Sequence, residues 1–136
     1  MSTTITHSND VERQVEKYQD ITIGETYTMA DSGKTIKVSG TGGTVTLPAP
    51  TEGFNIKFVT TGGLTTANTV IAGGTADVME GSIIVAGAVV DVDAADQLNF
   101  VHTADNLGDF VEIISDGSNY YVSGNALNSG GITATG

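Results

Sequence analysis

The chain has 136 residues, 18 of them Gly and two Pro, with four Phe, four Tyr, no Trp, no Cys and a net charge of −11. One domain of this length can bury roughly two-thirds of its unfolded surface. The lack of Cys excludes disulfides, thiolate metal sites and Cys nucleophiles, and the acid excess excludes phosphate-backbone partners such as nucleic acid and disfavours anionic membranes.

The first eight residues are rich in Ser and Thr and read as a flexible arm. They lack the basic and apolar segments of a signal peptide, so use without export is expected. In "NDVERQVEKYQ", Val11, Val15 and Tyr18 recur at i, i+4 and i+7, one helical stripe. Asn9 with Glu12 three residues on is a capping-box pattern. Glu12 and Glu16 alternate with Arg13 and Lys17 on the other side. The expectation is an N-terminal arm over residues 1–20 with a short helix.

From Ile21 the apolar period changes to two. "ITIGETYTM" puts Ile21, Ile23, Glu25, Tyr27 and Met29 on one face of an expected strand. "KTIKVSG" and "TVTLP" are the next short strands, and Pro48 ends the second because Pro cannot donate to a central ladder. "FNIKFV" predicts Phe54, Ile56 and Phe58 inward, with Asn55 and Lys57 outward. Glycine doublets at 42–43, 62–63, 73–74 and 130–131 predict turns. "NTVIAG", "ADVMEG", "SIIVAGAVVDVD", "QLNFVHT", "DFVEIIS" and "NYYVSG" complete about nine or ten strands. No apolar run is long enough to span a membrane. The fold expected is all-β: a compact antiparallel sandwich, jelly-roll-like domain or small barrel over residues 21–125. Residues 126–136, "ALNSGGITATG", are weakly patterned and expected as a C-terminal tail that lies along a partner or hangs loose.

Candidate chemistry is thin. Asp91, Asp93 and Asp96 lack the fifth and sixth positions of an EF-hand loop, and an outward polar face is preferred to a weak Ca²⁺ site at Asp91 and Asp93. His102 with Asp105 and Asp109 gives one His, short of a zinc site. His7 lies in the arm, and Arg13 is the sole Arg, so the body has no bidentate anion clamp. Gly33-Lys34-Thr35 matches the end of a phosphate-loop motif, but Thr28 stands where its first Gly is required and no helix pattern follows, so no phosphate loop is expected. A glycosidase-type carboxylate pair is left open, against the scarcity of aromatics to line it. No catalytic residue, metal ligand or cofactor is assigned.

"GDFVEIISDGSNYYVSG", residues 108–124, raises the choice between an active-site loop and a plain hairpin. Asp116-Gly117 supplies the positive-φ turn, Ser118 and Asn119 are turn residues, and alternating strands flank them. No His stands near in sequence to act as a base. The hairpin reading therefore takes Asp116, Gly117, Asn119, Tyr120 and Tyr121 as structural residues.

This stretch resembles a hairpin found near the C-termini of many tailed-phage virion proteins: capsid decoration (cement) proteins, head fibres and tail-fibre segments. "GGTVTLPAP" and "FNIKFV" are similar to the strands that precede it there. The resemblance covers roughly residues 21–125, with Tyr120 where Trp is frequent. It implies a structural virion protein, without enzymatic activity, on the outside of a phage head. It also implies the major capsid protein as partner, homotrimers as the working form, and the host cytoplasm as the site of assembly. Val11, Arg13, Val15, Lys17 and Tyr18 would then be the capsid-docking residues. The alternative is a receptor- or glycan-binding module of a head or tail fibre.

Overall fold

The structure, a computed structural model, describes residues 17–136. These form a two-sheet β-sandwich without an α-helix. Eleven strands follow one another: β1 (Lys17–Asp20), β2 (Lys34–Gly40), β3 (Gly43–Thr46), β4 (Asn55–Leu64), β5 (Thr69–Ala72), β6 (Met79–Val85), β7 (Ala88–Ala95), β8 (Gln97–Phe100), β9 (Phe110–Ser115), β10 (Tyr120–Ala126) and β11 (Ile132–Thr135). The larger sheet has the order β1-β2-β4-β9-β10-β6-β7 and the smaller β11-β8-β5-β3.

Pairing is mixed, where antiparallel sheets were expected. β1–β2, β2–β4, β3–β5 and β6–β10 are parallel. The cause is chain routing. From β2 to β5 the chain alternates between the sheets, so β2 and β4 enter the larger sheet in the same direction, as β3 and β5 enter the smaller. Parallel neighbours need such a crossover, which another strand supplies here. The remaining pairs, including β9–β10 and β6–β7, are antiparallel.

Several expectations are corrected. Residues 21–29 do not form a strand. Glu25 N–H donates to Thr22 O at 3.1 Å in a turn through Gly24, and Thr28 caps a 3₁₀ turn at Met29–Asp31. Tyr27 is buried, whereas Ile23 and Met29 are exposed. The doublet Gly62–Gly63 lies within β4 rather than in a turn. Lys17 and Tyr18 belong to β1, which pairs with β2 at Lys17↔Lys34 and Tyr18↔Thr35, not to a helix. Lys17–Asp20 therefore completes the larger sheet. The rest of the arm, with Val11, Arg13 and Val15, lies outside the described residues. The expected tail carries β11, which pairs with β8 at Ile132↔Phe100 and buries Ile132. Its "ITAT" alternation is too short to stand out, but an open edge of the smaller sheet receives it.

The core follows the predicted alternation. Phe54, Ile56 and Phe58 point inward beside Ile36, Val38, Val111, Ile113, Tyr120 and Val122 of the larger sheet. Val45, Ile71, Leu98 and Phe100 meet them from the smaller one. The few aromatics are concentrated here. Tyr27 packs edge-on against Phe58 with centroids 5.9 Å apart, and Phe54 against Tyr120 at 6.1 Å. Each such pair adds about 0.5–1.5 kcal/mol beyond its burial. Truncating any one of these rings to Ala would cost about 3–5 kcal/mol.

Candidate functional site

The hairpin at 108–124 folds as its residues predict. β9 and β10 pair with Tyr120 opposite Ser115 and Tyr121 opposite Ile114. Between them Asp116 organises the turn. Its Oδ1 accepts the backbone N–H groups of Ser118 at 2.8 Å and Asn119 at 2.9 Å, and the Tyr121 hydroxyl donates to its Oδ2 at 2.9 Å. The Asn119, Ser118 and Tyr121 hydrogen bonds, in that order, hold the Asp116 carboxyl below its ordinary range. Gly117 sits at φ +96°, a conformation that side chains disfavour. Tyr120 turns into the core, where its hydroxyl donates to Pro48 O and burial pushes its pKa up to about 12. The turn uses the backbone N–H of Ser118, and its side chain is exposed. Among the described residues, no hydrogen bond links that hydroxyl to a base.

The other candidate acids are likewise absorbed by architecture. Asp109 is buried, yet both its oxygens are occupied. Oδ1 accepts Leu127 N–H and Oδ2 accepts Asn106 N–H, each at 3.0 Å. Asp105 Oδ2 accepts Leu64 N–H at 2.9 Å. His102 is held through its backbone N–H, which donates to Asn68 Oδ1 at 2.9 Å. The three residues tie loops to strands and do not converge on one point. Asp91 and Asp93 face outward on β7, with Val92 buried between them. Asp96 Oδ1 accepts Asp77 N–H at 2.7 Å. Among the described residues, no group of three or more His, Asp or Glu is placed to hold a metal ion.

Two structural acids escaped the sequence reading. Glu80 faces a bulge where β7 holds one residue more than β6, and its Oε2 accepts the N–H of Ala94 at 3.1 Å. Asp31 accepts Thr28 N–H at 2.9 Å and Lys34 Nζ at 2.6 Å. Burial opposes ionisation of Asp31, but Lys34 and the Thr28 hydrogen bond outweigh it and lower its pKa. The role of Glu80 has no local signature, because it depends on a bulge placed by distant residues, whereas Asp31 has one, as the fourth residue of a Thr28–Asp31 capping box.

Two grooves mark the surface of the described residues. One of about 180 Å³ lies on the outer face of the larger sheet between Lys34, Asn55, Lys57, Glu112 and Ile114. There Lys57 Nζ lies 3.9 Å from Glu112 Oε1 and 5.1 Å from the centre of the Phe110 ring. Another, of about 330 Å³, is bordered by Thr46, Ala72, Gly73, Gly74 and Gln97, with Asp96 its one ionisable group. Comparison with known protein families, curated proteins and solved structures finds no match for this chain.

Proposed function

We propose that this chain is a structural virion component, a decoration protein seated on the outside of a tailed-phage head. Its partner is the major capsid protein. It acts mechanically, as a clip of homotrimers that holds neighbouring capsid subunits together, and it carries out no catalysis. The observation that supports this reading most is the hairpin at 108–124. The acid, glycine and tyrosines that might have served chemistry there are all spent on fixing a turn and a core. A protein whose polar residues are used this way is suited to hold a shape against load. The protein is expected on the capsid exterior, after assembly in the host cytoplasm.

The test is immunogold electron microscopy of virions from a phage encoding the chain, with purified chain added back to heads that lack it. Gold distributed over the head and saturable binding to bare heads are expected. Gold confined to the tail or its fibres, or no gold on the particle, would reject the proposal. One observation favours the alternative of a glycan-binding fibre module. Ile114 and Tyr121 are cross-strand partners, both exposed, and Ile114 also lines the Lys34–Lys57 groove. Tail-located gold with glycan binding lost in Tyr121→Ala would support that reading instead.

A further inference from the structure

We infer that the free edge of β7 is a docking site for an extended segment of another protein, one that carries Lys or Arg at alternate positions and adds itself to the larger sheet as a further strand. β7 closes that sheet on one side and pairs there with β6 alone. The hairpin fixes which backbone groups stay open. Its two-residue turn, Ala86 at φ +50° and Gly87 at φ +80°, makes Val85↔Ala88 a hydrogen-bonded pair. Alternation then turns the N–H and C=O groups of Ala88, Val90 and Val92 toward β6 and those of Val89 and Asp91 toward the open edge.

Among the described residues no strand pairs with that side of β7. Ala88, Val89, Asp91 and Asp93 are all exposed. The open row ends after Asp93. Ala94, at φ +47°, bulges out of the ladder, and β11 covers the corner beyond it, where Asp96 N–H donates to Thr135 O at 2.9 Å. The strand is held from its other side by the β6 ladder and by Glu80, which accepts Ala94 N–H. An incoming segment therefore meets a fixed template, and the ordering cost on association falls on that segment.

An open ladder attracts strands in general, and side chains decide which strand. Val89, Asp91 and Asp93 project from the face opposite buried Val92. Glu80 lies on the neighbouring strand, with Asp77 just before β6 and Asp96 just after β7. Lys17, Lys34, Lys37 and Lys57 are on β1, β2 and β4, and β9 and β10 separate them from this edge. Among the described residues neither Asp91 nor Asp93 meets a cation. An antiparallel copy of β7 would set these acids against their own kind, and like charges directly opposed destabilise a strand pair. A segment with a cation at every second position instead places one beside each Asp on the same face, at the roughly 5 Å separation of cross-strand neighbours. The unpaired ladder and the uncompensated charge are independent features that coincide on one strand. The inference does not depend on the capsid reading.

The experiment titrates the full chain with an end-blocked peptide of about eight residues in which Lys and Thr alternate, at low ionic strength. Saturable binding is expected, with hydrogen exchange slowed at the Val89 and Asp91 amides and unchanged at Val90 and Val92, which are already bonded to β6. A peptide of alternating Glu and Thr should not bind. A peptide of the same Lys and Thr content with its lysines in one block should bind about tenfold more weakly, and so should the alternating peptide to the double variant Asp91→Asn/Asp93→Asn. No saturable binding of the alternating peptide overturns the inference. So does equal affinity for the block peptide, wild-type affinity in the folded double variant, or binding without added protection at Val89 and Asp91, which would mark attraction by charge alone. Should the double variant misfold, the block peptide and the exchange pattern of the wild type decide the matter.

Discussion

Single residues in this protein act through backbone conformation more than through chemistry. Gly117, at φ +96°, occupies a position that a β-branched residue enters only with strain. Gly117→Val should cost on the order of 1–2 kcal/mol or more, read as a lower urea midpoint. Ser118→Ala should leave that midpoint unchanged, because the turn uses the Ser118 backbone and not its hydroxyl. The reverse ranking would mean that the hydroxyl has a role the hydrogen bonds do not reveal. Asp116 adds a pH dependence with a definite sign. Its carboxyl is held below the ordinary range, so the stability it contributes is complete above the unfolded-state value near ~3.9. That contribution disappears as pH falls through the lower folded value. Amide shifts of Ser118 and Asn119 should therefore titrate at lower pH than an unperturbed Asp, and both should lose that titration in Asp116→Asn. Ala86 shows the opposite case, a residue less suited to its place than an alternative. It stands at φ +50° before Gly87 at φ +80°, in the two-residue turn that joins Val85 to Ala88. Asn tolerates that conformation better, so Ala86→Asn should raise stability by about 0.5–1 kcal/mol in the same urea assay.

At the scale of strands, alternation reveals which side chains face inward but not which sheet receives the strand. "KTIKVSG" and "TVTLP" are legible as strands, and "FNIKFV" as a strand with its inward face. Their two-residue period is identical whether the next strand pairs beside them or crosses to the other layer. The parallel β2–β4 and β3–β5 pairs are accordingly invisible in the sequence, since they arise from alternate placement in two sheets. The hairpin was legible because its turn chemistry is local. β1 teaches the same lesson from the other side. A helical stripe at Val11, Val15 and Tyr18 suggested one element, yet Lys17–Asp20 lies along β2, with Lys37 Nζ 3.1 Å from Asp20 Oδ1. The pair is exposed and worth little alone. The strand's main contribution is to cover the edge of β2, whose open N–H and C=O groups would otherwise invite other chains. Deleting residues 1–20 should therefore lower the melting temperature below that of a chain lacking only residues 1–16. About 4 °C corresponds to the ~1 kcal/mol expected of a short edge strand at this size. Coincident melting curves for the two truncations would show that β1 adds nothing to the sandwich.

Across the whole molecule, charge is sorted along the chain and then placed by the fold. Lys17, Lys34, Lys37 and Lys57 all lie on β1, β2 and β4, at one side of the larger sheet. There Lys34, Lys37 and Lys57 meet Asp31, Asp20 and Glu112. Beyond Phe58 nine acids follow with no Lys or Arg. Of these, Glu112 alone lies across a strand pair from a lysine, Lys57. Asp77, Glu80, Asp91, Asp93 and Asp96 cluster on and around β6 and β7, far across the sheet from the lysines. Hydrogen bonds satisfy several of these carboxylates but do not cancel their charge. The folded chain therefore holds like charges closer together than the extended chain does, and this repulsion is screened over about 8 Å at physiological ionic strength. Raising NaCl from a few millimolar to ~0.15 M should raise the melting temperature, with most of the gain at the low end, where the Debye length shrinks fastest. The lysine pairs are weakened by the same salt, but each is worth little at the surface, so the acid cluster sets the sign. Calcium and magnesium chloride at equal ionic strength should act alike, since among the described residues Asp91 and Asp93 do not join a third ligand. A melting temperature that falls with NaCl would mean that the three lysine pairs outweigh the acid cluster.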